Sequence, residues 1–160
     1  MGRIVYANIG SNLGDREKFI EKALGHIGEF FGFYCVSGVM ETYSWGYDSS
    51  LRFLNIGVAF KSDLHPEEIL RRLQDIEKMV SGGLHRDEEG RYCDRELDID
   101  IMAFDTGDYR SPQLIVPHVH LKERDFFLLP LQELSPGWKD PSTGETLEEI
   151  LRQRHVQEVS

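Results

Sequence analysis

The chain has 160 residues, 40% of them hydrophobic, which fits one compact domain with a real core over 1–160 and argues against a second domain. A formal net charge of -10 excludes broad, sequence-independent nucleic-acid binding, because that mode needs a basic footprint, so any anion site must be a local cluster of arginines. Only Cys35 and Cys93 occur, with no CxxC or His-rich spacing, which disfavours a disulfide framework and a structural zinc site and fits a reducing compartment. The start, Met1-Gly2-Arg3-Ile4-Val5-Tyr6, reaches polar Asn8 and Gly10-Ser11-Asn12 too soon for a signal peptide. No apolar run nears the roughly 20 residues of a membrane span, so a cytoplasmic protein with neither membrane nor nucleic-acid partner is expected.

Ile4 to Ile9 reads as a short apolar strand that stops at Gly10-Ser11-Asn12, and Phe19, Ile20, Ala23, Leu24, Ile27 and Phe31 then recur at helical spacing. Tyr34 to Thr42 and Phe53 to Lys61 are β-rich. The span between them, Tyr43 to Ser50, is too polar and aromatic for a tight hairpin and is a candidate functional loop. Pro66 suits the first turn of a second helix, whose stripe of Ile69, Leu70, Leu73, Ile76 and Met79 runs to Ser81-Gly82-Gly83. A polar loop from Gly82 to about Tyr92 leads into a strand over Leu97 to Phe104. Beyond it, Leu114-Ile115-Val116 precedes Pro117-His118, Phe126 to Leu134 predicts a short helix, and Thr146 to Arg152 the last one, with Thr146 and Glu149 as a capping box. The order strand, helix, strand, strand, helix, strand is the split pattern of a ferredoxin-like core, an α+β fold with a mostly antiparallel sheet. That core serves many functions and identifies none.

Chemistry concentrates at Arg91-Tyr92-Cys93-Asp94-Arg95-Glu96-Leu97-Asp98-Ile99-Asp100-Ile101-Met102. Strand side chains alternate, so Asp98 and Asp100 share one face while Leu97, Ile99 and Ile101 share the other. Two like charges roughly 7 Å apart on a half-buried face repel, and a divalent cation relieves the repulsion. Arg91 and Arg95 upstream point to an anionic ligand that brings its own metal, as a nucleoside triphosphate with magnesium does. Gly10 to Gly14 is no phosphate loop: it lacks the Gly-Lys-Ser/Thr ending and the three-glycine dinucleotide pattern, and reads as a turn behind a pocket.

Ile9-Gly10-Ser11-Asn12-Leu13-Gly14-Asp15, Phe53-Leu54-Asn55, Ile76-Glu77, Arg95 to Met102, and Val116-Pro117-His118 with Arg124-Asp125-Phe126 together closely resemble the 6-hydroxymethyl-7,8-dihydropterin pyrophosphokinases of folate synthesis, from about Ile4 to Leu134. The resemblance implies a three-layer α/β/α domain that moves the β,γ-pyrophosphoryl group of ATP to the hydroxymethyl oxygen of a reduced pterin and releases AMP. It implies two magnesium ions on Asp98 and Asp100, with Arg91 and Arg95 on phosphate oxygens. It places Gln74, Glu77, Arg86, Tyr92, Ile101, His118 and Arg124 around ATP, and Thr42, Trp45, Phe53, Asn55 and Phe126 around the pterin, with the two phenylalanines sandwiching the ring and Asn55 reading its edge. A monomer acting on small molecules is expected.

The chain departs from the family pattern in the loop after the second helix, where Gly82-Gly83-Leu84-His85-Arg86 stands in place of a pair of arginines, leaving His85 or Arg86 as the substitute. Val119 replaces a common aromatic residue, and Gln113 stands where some members of the family would carry a basic residue. The alternatives to pyrophosphoryl transfer are a non-catalytic pterin or nucleotide-binding module and a metal-dependent phosphohydrolase built on the same aspartates.

Overall fold

The computed structural model describes residues 2–42, 52–81 and 97–159, the last few (155–159) by their backbone alone. The elements in chain order are β1 (Arg3–Ser11), α1 (Arg16–Phe31), β2 (Tyr34–Thr42), β3 (Phe53–Ser62), α2 (Pro66–Ser81), β4 (Asp98–Phe104), β5 (Tyr109–Arg110), β6 (Ile115–Val116), a 3-10 turn (Leu121–Glu123), α3 (Asp125–Leu134) and α4 (Leu147–Val159). The main sheet runs β2-β3-β1-β4, and each neighbouring pair is antiparallel. This is the strand order of the split pattern expected from the sequence.

Strand alternation gives the sheet two unlike faces. Val5, Ala7 and Ile9 of β1, Leu54, Ile56, Val58 and Phe60 of β3, and Ile99 and Ile101 of β4 pack against Ile20, Ala23 and Ile27 of α1 and Ile69, Leu73 and Ile76 of α2. On the other face Tyr6, Met102 and Ala103 meet Phe127, Leu128 and Leu131 of α3 and Leu147 and Ile150 of α4. Helices therefore cover both sides of the sheet, giving three layers. The indole Nε1 of the buried Trp138 donates to the Phe104 carbonyl, and Lys122 bridges Asp140 and Glu145 at 2.8 Å each, so the segment between α3 and α4 is tied to the end of β4 and to the 3-10 turn.

Several boundaries differ from the sequence reading, each for a local reason. β1 extends through Gly10 and Ser11 because both pair with β3, opposite Asn55 and Leu54. The turn expected over Gly10 to Gly14 is thus confined to its end, where Gly14 has φ +68 and the Asp15 carboxylate caps α1 by accepting from Lys18 N at 3.2 Å. Half of the expected capping box is present: Glu149 N donates to Thr146 Oγ1 at 3.1 Å, while the Glu149 carboxylate meets the Thr146 hydroxyl at 3.2 Å. α4 outruns its expected end at Arg152, as no glycine or proline interrupts the sequence there. The loops predicted over Tyr43 to Ser50 and Gly82 to Tyr92 lie outside the described residues.

Candidate active site

The site begins from one register. Asp98 lies opposite Gly10 and Asp100 opposite Asn8, so both aspartates emerge on the face of β4 away from the Ile99 and Ile101 core, half-buried. Gly10 carries no side chain, and the next strand comes close: a Cβ at Gly10 would sit 2.9 Å from Asn55 Oδ1 and 3.4 Å from a Phe53 ring carbon. Glycine at this point lets an amide and an aromatic ring form the wall beside the aspartates.

Asn55 is 2% exposed, and its Nδ2 donates to Thr42 Oγ1 at 2.8 Å. Thr42 thereby orients the amide, leaving Oδ1 turned toward Gly10. Phe126 stands in the first turn of α3, with its ring 5.0 Å from that of Phe127 and the Arg124 guanidinium 5.5 Å above it. Arg124 is itself buried. The α3 start is held from α4 as well, where Arg154 pairs with Asp125.

His118 follows a cis Val116–Pro117 peptide and packs its ring 5.0 Å from Phe127. Burial, reinforced by the charges of Arg124 and His120 against an opposing pull from Asp98, lowers its pKa to about 4. The imidazole is therefore neutral at pH 7. Its Nδ1 accepts from His120 N at 3.1 Å, which puts the ring proton on Nε2 as a donor. Asp100, Ile101 and His118 share a cleft of about 270 Å³ with Ile99, Leu70 of α2 and Leu114 beside β6.

Glu77 is 7% exposed between α2 and β4, and its Oε2 accepts the Ile99 N–H at 2.7 Å. β4 is the last strand of the sheet, so this carboxylate occupies its open edge and fixes the backbone between the two aspartates. Gln74, one turn earlier, is exposed. Of the residues expected to form the site, Thr42, Phe53, Asn55, Asp98, Asp100, His118, Arg124 and Phe126 come to one end of the sheet, and Ile101 backs the cleft. Trp45, Arg86, Arg91, Tyr92 and Arg95 lie outside the described residues. Asn8 is a further residue of this end, signalled in the sequence only by an amide amid the apolar run Ile4 to Ile9, and Gly10, expected in a turn behind a pocket, lies instead in the strand beside it.

The larger cavity and the candidate side chains do not coincide. A larger groove of about 860 Å³ lies at the far end of the strands among Ile4, Tyr6, Phe30, Phe33, Ala59 and Leu64, and none of the site residues lines it. The smaller cleft is lined by Asp100 and by His118, a neutral donor.

The antiparallel α+β sheet, with two carboxylates, a buried amide and aromatic rings at one end, defines a candidate site for a small ligand. The family model described as 7,8-dihydro-6-hydroxymethylpterin-pyrophosphokinase matches residues 6–136. The chain is 37% identical to the 2-amino-4-hydroxy-6-hydroxymethyldihydropteridine pyrophosphokinase of Aquifex aeolicus, covering 91% of this chain and 89% of that one. It is 36% identical to the protein of the same name from Bacillus subtilis, covering 95% and 90%. Among solved structures, one titled as HPPK-DHPS in complex with substrates superposes with a TM-score of 0.73 at 16% identity, covering 96% of this chain and 44% of that one, a likeness of fold. The chain belongs to the 6-hydroxymethyl-7,8-dihydropterin pyrophosphokinase family, and it is an ATP-dependent pyrophosphokinase of folate synthesis.

Proposed function

We propose that the polar end of the sheet described above carries this transfer, with Asp98 and Asp100 holding two magnesium ions beside ATP. The hydroxymethyl oxygen of the pterin attacks the β-phosphorus, the new oxygen–phosphorus bond forms as the bond from that phosphorus to the oxygen bridging it to the α-phosphate breaks, and AMP leaves with that oxygen. The hydroxyl proton passes to a carboxylate of the pair or to solvent. The observation that carries the reading is the convergence, on one sheet face, of the aspartates with Asn55, Phe53 and the first turn of α3.

The donor set fits magnesium. Among the described residues no three His, Cys, Asp or Glu side chains cluster as a protein cage, and two carboxylates suit an ion whose remaining ligands are phosphate oxygens and water. Bound there, magnesium would neutralise the triphosphate and favour attack at phosphorus. Neutral His118 offers Nε2–H toward phosphate or ribose oxygen, and Ile101 lies beside adenine in the cleft. Gln74, Glu77, Arg86, Arg91, Tyr92, Arg95 and Arg124 complete the nucleotide side. Phe53 and Phe126 enclose the flat bicycle, Asn55 reads its edge, and Thr42 and Trp45 finish the pterin side.

The chain acts as one domain over 1–160, as a monomer in the cytoplasm. Support for the monomer comes from the free edge of β2, which is blunted: the ladder with β3 shifts between Val36 and Val39, and Glu133 takes the Gly38 N–H at 3.1 Å. No helix of the described residues is long and apolar enough to cross a membrane. The test is to incubate the purified chain with MgATP and 6-hydroxymethyl-7,8-dihydropterin and follow AMP and the pterin diphosphate by chromatography. AMP that forms only when pterin is present is the expected result. No AMP at high enzyme, or phosphate release without pterin, overturns it.

A further inference from the structure

Asn8 sits in the middle of β1, opposite Asp100 and 3% exposed, where a side-chain amide needs a partner. Its Nδ2 donates to the carbonyl of Phe126 at 2.8 Å. That carbonyl has a specific need of a donor. In a helix it would accept from the N–H four residues on, and that residue is Pro130, inside α3 and without an N–H. Proline is nonetheless well seated: a Cβ at Gly57 would fall 2.6 Å from Pro130 Cβ, so the bare backbone of β3 lets α3 lie directly on the sheet. One residue of α3 thus removes a helix bond and packs the helix tightly, and one residue of β1 supplies the missing donor.

We infer that Asn8 is a positioning residue for the pterin: by satisfying the Phe126 carbonyl that Pro130 leaves open, it fixes the first turn of α3 and with it the Phe126 ring over the site. This rests on the reading of Phe126 as a wall of the pterin pocket. Asn8 does not touch the reacting atoms. Its effect on the reaction passes through Phe126, whose carbonyl it holds.

The test is a set of four variants measured by equilibrium binding of 6-hydroxymethylpterin, followed by its fluorescence, beside binding of a non-hydrolysable ATP analogue. Asn8→Ala should weaken pterin binding about tenfold, the size expected when a buried carbonyl loses its donor, and leave the ATP analogue within about twofold. Pro130→Ala alone should leave both affinities within about twofold. Combined with Asn8→Ala it should restore pterin binding, because an alanine in place of the proline would return the helical N–H to the Phe126 carbonyl. A general loss of structure would weaken both ligands and would not be rescued by a second substitution in another element. Unchanged pterin affinity in Asn8→Ala, or a double variant as weak as the single, overturns the inference. If Asn8→Ala fails to fold, the double variant decides alone: parent-like pterin affinity supports the inference and weak affinity overturns it. Phe126→Ala separates the two readings. If it leaves pterin affinity unchanged, the pocket assignment itself fails; if it weakens pterin while Asn8→Ala does not, only the role of Asn8 fails.

Discussion

The two faces of the sheet are built from the same strands and do different work. Toward α1 and α2, β1 and β4 present Val5, Ala7, Ile9, Ile99 and Ile101, an apolar surface that excludes water. Toward α3, at the end where β4 begins, the alternate positions are Asn8, Gly10, Asp98 and Asp100, joined by Phe53 and Asn55 of β3. The polar face is costly by itself, since like charges and buried amides oppose folding unless they are paired. The apolar face, with the Tyr6, Met102 and Phe127 core farther along the α3 side, supplies the stability that lets the polar end exist. Side chains one position apart therefore differ in role, and substitutions should separate stability from chemistry residue by residue.

The largest separation is expected at the aspartates. Asp98→Ala and Asp100→Ala should each lower turnover by at least about a thousandfold, the order of effect of losing a group that neutralises a transferring phosphoryl, while the urea midpoint stays the same or rises. A matching drop in stability would place the aspartates in the fold rather than the site. The converse is Leu73→Ala on α2, which removes a fully buried side chain from the other face and should cost about 2–5 kcal/mol in urea unfolding with kcat/KM of the folded enzyme unchanged.

The polar end should also show in the pH dependence of stability. Unfolded, His118 has the ordinary histidine pKa of 6.5, and folded it has a pKa of about 4. Between those values the unfolded chain binds a proton that the folded chain refuses, so this contribution is complete above about pH 6.5 and is lost as pH falls toward 4. With the ring half-buried, the loss should be on the order of 1–3 kcal/mol, and His118→Gln should flatten the slope over that window. A slope that persists in the variant would assign it to other groups. The smallest effect is expected at Gly10→Ala, whose new methyl would press on Asn55 Oδ1 and Phe53. Pterin affinity should fall about tenfold with ATP-analogue affinity unchanged. Equal loss of both ligands would break the assignment of this wall to the pterin.

What could be read from the sequence follows the same division. Asp98 and Asp100 stood out because a period-2 pattern put two charges on one side of an apolar strand, and the helical stripes of α1 and α2 declared the opposite layer. Phe53 and Phe126 give no such signal alone, since a phenylalanine in a strand or helix is ordinarily core, while Asn55 is an amide in an apolar strand, and the motif resemblance supplies their grouping. Gly10 reads as part of a turn because a glycine-serine-asparagine run commonly marks one, whereas the pairing of Gly10 with Asn55 carries the strand through it. The link from Asn8 to Phe126 joins residues more than a hundred positions apart and depends on where Pro130 falls in α3, which only the packed sheet displays.

The central claim is that Asp98 and Asp100 form the metal platform of the transfer. Manganese binding, followed by electron paramagnetic resonance as the ion is titrated into enzyme with a non-hydrolysable ATP analogue and 6-hydroxymethylpterin, tests it most directly. The parent should take up two ions per chain, and Asp98→Ala and Asp100→Ala should lose at least one of them with the thermal midpoint unchanged. Parent-like uptake in both variants would contradict the account.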